Sequence, residues 1–287
     1  NFHSAQGSFP PARQGQTTAD NTWGHFACLL PFLEQMPLFK RIDFTRPIDD
    51  PANSAVALAP AAIFRCPSDT NRLTDASDPL ARAAWAKNNY RGNGGNDTGE
   101  PDSAGIERNN GVFVGGRRVR IDQIFDGTSN TALFSEGMLG DGDDNLISSP
   151  GDWFVVSPAS HSREDLYAAA LVVTPGAGAG AQYSYAGSTC LSGAYTASRY
   201  NHILPPGHVS VVIPIPGSDL AASINNGAQA TTASSCHVGG VNLALADGSV
   251  RFVRNDVDLL LWRALGSIAG GEVTTAGEGD PRSGDSQ

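Results

Sequence analysis

Val241-Asn242-Leu243-Ala244-Leu245-Ala246, then Asp247-Gly248, then Ser249-Val250-Arg251-Phe252-Val253, is the most legible stretch of this chain. Two strand-prone runs flank an Asp-Gly pair, and Asp-Gly is a strong short-range hairpin signal because both central residues tolerate positive φ. The stretch therefore predicts an antiparallel hairpin, and with it a sheet. Downstream, Asp256 is expected to cap a short helix, Leu259–Leu265, that Gly266 stops. Upstream, His237-Val238-Gly239-Gly240 turns the chain into the first strand. His237 and Asp247 stand at opposite ends of that strand. Six residues of strand span roughly 20 Å, so the two side chains are not expected to touch. The pair reads as a polar anchor at the strand start and a turn at its end.

Around this hairpin the composition is that of a loop-rich mixed protein. Of 287 residues, 40% are apolar, enough for a core, and only 17% are charged, while 33 are Gly and 18 are Pro. That mix suits short strands and long ordered loops better than a helical bundle. The formal charge of -10 repels phosphate backbones and disfavours nucleic-acid partners. Arg117-Arg118-Val119-Arg120 is the local exception, and it reads as a solvated turn or strand. No apolar run reaches the roughly 18–20 residues that span a bilayer. The chain opens at Asn1-Phe2-His3, inside what reads as the end of a helix that Gly7-Ser8-Phe9-Pro10-Pro11 terminates.

Further elements follow from periodicity and breakers. A helix is predicted from about Thr22 to Phe39, kinked or divided at Pro31 and Pro37. A short helix is expected through Asn53–Leu58 after the Asp49-Asp50-Pro51 cap. Ile63–Pro67 and Gly111–Val114 read as strands, and Thr131–Ser135 as a strand ending at Glu136. Residues 69–80 read as a loop, as does Gly176–Gly180. Residues 136–235 look like an irregular insertion, with a strand-like run at Val209–Ile215. The tail after Gly277 is expected to fray.

Taken together, several pieces resemble the large prepilin-like family known as domain of unknown function 1559, abundant in planctomycete-type bacteria. They are Gly7-Ser8-Phe9-Pro10-Pro11, Leu30-Pro31-Phe32-Leu33-Glu34-Gln35, Phe64-Arg65-Cys66-Pro67-Ser68-Asp69 and Asn88-Asn89-Tyr90 with the glycines after it. Asn110-Gly111-Val112-Phe113, Ile124-Phe125-Asp126-Gly127-Thr128-Ser129-Asn130-Thr131 with Glu136, and His237-Val238-Gly239-Gly240-Val241-Asn242 up to Asp247-Gly248-Ser249-Val250 complete the series. The last carries the family's "His, nine residues, Asp-Gly" signature. Each piece is weak alone; their joint order is specific. Val238 stands where the family usually has Pro.

The resemblance implies an α+β fold: a pseudopilin-like head in which a truncated N-terminal helix packs on an antiparallel sheet, formed as one domain over residues 1–287 with the insertion at 136–235. It also implies a prepilin signal and apolar helix ahead of Asn1, processing by a prepilin peptidase, and an extracytoplasmic, membrane-anchored position at the periplasm or cell surface. The partners it implies are other pilin-like subunits or type II secretion and type IV pilus-like machinery. No catalytic activity comes with it. The alternatives are a secreted hydrolase acting on glycans or esters, or a glycan-binding module using Trp23, Trp85, Trp153, Trp262, Tyr183 and Tyr185.

Chemistry-bearing residues are few. Asp141, Asp143 and Asn145 alternate and Asp152 follows at the twelfth position, imitating a calcium loop. Leu146 stands where such a loop needs Gly, and a solvated acidic turn is the competing reading. Calcium is also what pseudopilin-like heads often hold. Asp126, Thr128, Asn130 and Glu136 form a second calcium candidate. A hydrolase triad from Ser234 or Ser235, His237 and Asp247 lacks a Gly-x-Ser-x-Gly elbow, and His202, His208 and His237 follow no zinc spacing. The four cysteines allow three pairings. Cys28 with Cys66 and Cys190 with Cys236 are the expected disulfides, the latter flanking one segment, although an even count also fits buried free thiols.

Overall fold

The structure, a computed structural model, describes residues 1–14, 22–59, 62–70, 86–100, 107–176 and 181–271. Trp85, most of the 69–80 loop, residues 177–180 and the tail after Gly277 lie outside the described residues. The protein is α+β, with its elements distributed over a five-stranded sheet, a four-stranded sheet and a two-stranded ribbon.

The N-terminal part is helical in short pieces. α1 (Phe2–Gln6) is capped by the Asn1 side chain and ends at left-handed Gly7, φ 72°. It has no buried residue, so it forms no layer on a sheet, unlike the packed N-terminal helix expected. It touches the rest through the Phe2–Phe32 ring pair, 5.4 Å apart, and through the Ile121 N–H donating to His3 Nε2. β1 (Arg13–Gln14) and β2 (Trp23–Gly24) form the ribbon. The helix predicted over Thr22–Phe39 is divided at both prolines. α2 (His25–Leu29) passes into a 3-10 turn, Leu30–Leu33, that includes Pro31, and Glu34 then takes φ 60°. α3 (Met36–Phe39) restarts with Pro37 in its first turn, where its missing N–H costs nothing. Asp50 caps a 3-10 turn at Pro51–Asn53 that leads into α4 (Ser54–Ala57).

The larger sheet takes β3 (Tyr90–Asn93), β4 (Ala132–Glu136), β7 (Arg199–Tyr200), β10 (Gly240–Leu245) and β11 (Val250–Arg254) in the order β11-β10-β4-β3-β7. All its pairings are antiparallel except β3 with β7. The hairpin predicted around Asp247-Gly248 is β10–β11. Its loop differs from the two-residue form: Leu245 and Ser249 still share a backbone hydrogen bond of 2.8 Å, and only Gly248, φ 88°, is left-handed. That is the three-residue loop with Gly at its left-handed position. α8 (Leu259–Gly266) follows, capped by Asp258 rather than Asp256; Asp256 instead pairs with Arg254 at 2.6 Å.

Residues 136–235 are more ordered than their composition suggests. They hold β5 (Trp153–Val155), β6 (Gln182–Tyr183), β8 (Ser210–Val212) and β9 (Gln229–Ala230), ordered β6-β5-β8-β9. α5 (Arg163–Leu171), α6 (Tyr195–Ser198) and α7 (Leu220–Asn226) accompany them. Asn201, just past β7, staples the two sheets: its N–H donates to the Thr231 carbonyl at 2.9 Å and its Nδ2 to the Gln229 carbonyl at 2.8 Å.

Two predicted strands are not strands. Ala62–Phe64 is a 3-10 turn, because Asn89 rather than a neighbouring strand takes the Cys66 N–H. Gly111–Val114 is a bend whose Gly111 and Phe113 N–H groups reach the carbonyls of Gly94 and Asn93. Its apolar residues still bury, Val112 and Phe113 packing with Ala12, Val119 and Ile268.

Candidate functional site

The site lies where β4 ends. β4 runs Ala132-Leu133-Phe134-Ser135 and closes on Glu136, which is buried. β10 pairs Leu243 with Ser135, which sets Asn242 beside Glu136. Asn242 donates its backbone N–H to Glu136 Oε2 at 2.8 Å and its Nδ2 to Oε1 at 3.1 Å. On the other flank β3 pairs Tyr90 with Glu136, which puts Asn89 at the same end of the sheet.

Asn89 is the clamp of this end. Its Nδ2 donates to Asp69 Oδ2 at 2.6 Å and to the Gly137 carbonyl at 3.2 Å, and its Oδ1 accepts the Cys66 N–H at 3.1 Å. Asp69 Oδ2 also accepts the Leu139 N–H. The Cys66–Asp69 turn is thereby fixed over the end of β4. His237 arrives from the opposite side, ahead of left-handed Gly239, φ 85°. Its Nδ1 lies 3.2 Å from Glu136 Oε1 and 3.0 Å from Ser235 Oγ.

Cys66, Glu136 and His237 each present one donor atom, and these three atoms all lie within 4.8 Å of one another. No other group of three or more His, Cys, Asp or Glu side chains converges this way among the described residues. Burial pushes the Glu136 carboxyl up, but the hydrogen bonds from Asn242, Ser235 and His237 outweigh it and hold the group below the ordinary carboxylate range. Glu136 is thus an anion beside a thiol and an imidazole. The cavity between Cys66, Asp69, Asn89, Glu136, Ser235 and Cys236 holds about 10 Å³, roughly the room of a single water-sized sphere.

This arrangement relocates the partner of His237. The side chain turns to Glu136, 101 positions away, while Asp247 stays at the far end of β10, its Oδ1 accepting the Ser249 N–H and hydroxyl at 2.8 and 2.7 Å. The Ser-His-Asp triad therefore does not assemble. His202 is buried, with Nδ1 at 2.7 Å from the Trp262 carbonyl and Nε2 at 2.9 Å from the Tyr200 hydroxyl, so the three-His set does not form either. The Asp126–Glu136 calcium candidate is divided by β4. Asp126 faces the other way, accepting Ser267 Oγ at 2.6 Å and the N–H groups of Gly270 and Gly271.

In the acidic loop the four predicted ligands separate into two kinds. Asp143 Oδ1 accepts the Asn145 N–H and Nδ2 in a local turn, and both residues are exposed. Asp141 and Asp152 are buried. Asp141 Oδ1 accepts the Asp143 N–H while Oδ2 is buried without a hydrogen-bond partner. Asp152 accepts Ser148 through both oxygens. Burial first, and then the Asp141 charge, push the Asp152 carboxyl up against those hydrogen bonds.

No disulfide joins the four cysteines, and neither expected pair forms. Cys28 Sγ donates to Gln14 Oε1 at 2.8 Å, and burial drives its pKa up to about 11. Cys190 is sealed in the core with Trp23 and Leu191, and burial pushes it up to about 12. Cys66 and Cys236 instead line one cavity. The rings expected to stack on sugars are core: Trp23, Trp153, Trp262, Tyr183 and Tyr185 are all buried. Arg199 is likewise structural, bonded to Glu107 at 2.6 Å and lying over the Tyr195 ring.

The Cys66–Glu136–His237 convergence escaped the sequence reading. Each residue stood within a quoted motif, but nothing in their spacing links them. A carboxylate closing an apolar strand, as Glu136 does after Ala132–Phe134, was the usable signal.

Comparison with curated proteins yields no match, and comparison with solved structures yields none. The profile of one family, described as "Protein of unknown function (DUF1559)", matches residues 1–260. Residues 1–260 are most of the chain, and they include every motif that meets at the end of β4; the protein belongs to the DUF1559 family.

Proposed function

We propose that this domain is the extracytoplasmic head of a prepilin-like surface protein, which acts by assembly or by presenting its surface rather than by turnover. One observation carries the reading: the family motifs meet as joints between chain segments, not as the walls of a substrate cleft. Cys66, Asp69, Asn89 and Glu136 meet around a pocket of about 10 Å³, room for about one water-sized sphere, and His237 closes on Glu136 beside it. Asp126–Thr131 and Asp247-Gly248 likewise serve each other, the Asp247 N–H donating to the Thr128 carbonyl and the Ala246 N–H to that of Thr131. The full-length protein in its native host tests this. The N-terminus should be a prepilin-peptidase product, the domain should fractionate with the membrane, and it should be open to protease added outside the cytoplasm. An unprocessed chain recovered from the cytosol contradicts it.

A second reading has an observation in its favour. An open concavity of about 620 Å³ is lined by Asp97, Glu100, Arg108, His161, Arg163 and Glu164, with His161 Nδ1 3.1 Å from Glu100 Oε1. A secreted hydrolase would place its chemistry there. Turnover in a glycan and ester screen, abolished by His161→Ala, would support that reading; inactivity across the screen removes it.

A further inference from the structure

We propose that Cys66, Glu136 and His237 form a binding site for one first-row transition-metal dication, zinc(II) matching it best. The donors are a thiolate sulfur, an imidazole nitrogen and a carboxylate oxygen. That mixture suits zinc, whereas calcium and magnesium take all-oxygen shells. In a tetrahedral zinc site, bond lengths of about 2.0–2.3 Å put neighbouring ligand atoms about 3.3–3.6 Å apart. His237 Nδ1 and Glu136 Oε1 are already 3.2 Å apart, and the 4.8 Å limit on the set leaves the sulfur about 1 Å to close. The cavity lined by two of the three, Cys66 and Glu136, is about 10 Å³ and fits a single ion or water.

The supporting shell is also present. Asn242 holds both Glu136 oxygens, and Asn89 holds the Cys66 backbone while being held by Asp69. Ligand orientation by such partners is how proteins fix metal geometry. Only three protein ligands converge, so the fourth position falls to water or to a group on the rim, where Ser235 and Cys236 stand. A bound ion would tie the Cys66 turn, the end of β4 and the entry to β10 together. The inference stands apart from the surface-protein reading: its failure would leave that reading in place.

The test uses the reduced, chelator-treated protein with zinc(II) or cobalt(II) added alone. One equivalent of zinc should bind by calorimetry. Cobalt should give tetrahedral visible bands and a thiolate-to-metal charge-transfer band. Cys66→Ser should abolish the charge-transfer band, and Cys28→Ser should keep it. His237→Ala, at a side chain 40% exposed, should weaken zinc binding by at least about 100-fold with the fold retained by circular dichroism. Absence of stoichiometric uptake by the wild-type protein, or a cobalt spectrum without a thiolate band, overturns the proposal. So does uptake unchanged in Cys66→Ser and His237→Ala. Isolation of a Cys66–Cys236 disulfide that re-forms in air and is unaffected by excess zinc would also overturn it.

Discussion

The two ends of the β4–β10 pair are both built from family motifs, yet they use their polar groups differently. At the far end, Asp126 and Asp247 direct their carboxylates at nearby N–H and hydroxyl groups: Gly270, Gly271 and Ser267 for one, Ser249 for the other. Their hydrogen-bonding capacity goes into closing turns. At the near end, a thiol, an imidazole and a carboxylate from three distant segments converge within 4.8 Å, the thiol and the carboxylate lining one small cavity. The contrast separates motif residues that shape the chain from motif residues that retain chemistry. A signature such as "His, nine residues, Asp-Gly" mixes one of each, which is why treating its two ends as a couple misleads.

Substitutions should break the two ends unequally. The largest effect is expected from Asn89→Ala. It leaves the Cys66 N–H, the Gly137 carbonyl and the Asp69 carboxylate without their shared buried partner, and should cost about 4 kcal/mol in urea unfolding. Asp126→Ala should cost about 2 kcal/mol, because two of the three groups it caps, the Gly270 and Gly271 N–H groups, are exposed and find water, while only the Ser267 hydroxyl is buried. Gly248→Ala should cost only about 1 kcal/mol. Space is open around its Cβ, so only the left-handed φ of 88° is penalised. A far-end loss exceeding the Asn89 loss would refute the asymmetry.

Acid should act through buried histidines before the Glu136 and Asp126 carboxylates titrate. His202 is buried with its pKa pushed down to about 3, chiefly by desolvation, and His25 is lowered for the same reason, with Arg199 adding to it. The unfolded chain takes up these protons below about 6.5 while the folded one refuses them, so stability falls as pH drops from about 6.5 towards 3. Glu136 and Asp126, whose folded pKa values are depressed, add their own losses only lower, as pH falls through the carboxylate range. Urea midpoints between pH 7 and pH 5 should decline; a flat profile there would show that the two buried histidines titrate normally.

How much was legible varied with the range of the interaction. The β10–β11 hairpin and the strand ending at Glu136 could be read because strand runs and an Asp-Gly turn are local. The division of the 22–39 helix at Pro31 and Pro37 was legible for the same reason. Gly111–Val114 misled because buried apolar residues look like a strand whether or not a ladder forms, and here the N–H groups go to Asn93 and Gly94. Within 136–235 the strand-like run at Val209–Ile215 was read and holds β8, but the other strands were hidden because they are two or three residues long, too short for alternation to register. Glu136 and His237 could not be paired by reading, since only the β4–β10 register brings them together.

The claim that the near end keeps chemistry while the far end only closes turns is tested most directly by a crystal structure of zinc-soaked protein, with anomalous data recorded on both sides of the zinc edge. One anomalous peak should lie between Cys66 Sγ, the Glu136 carboxylate and the His237 ring. No peak there, or a peak at Asp126, Asp247 or the Asp141–Asp152 pair in its place, would contradict the account.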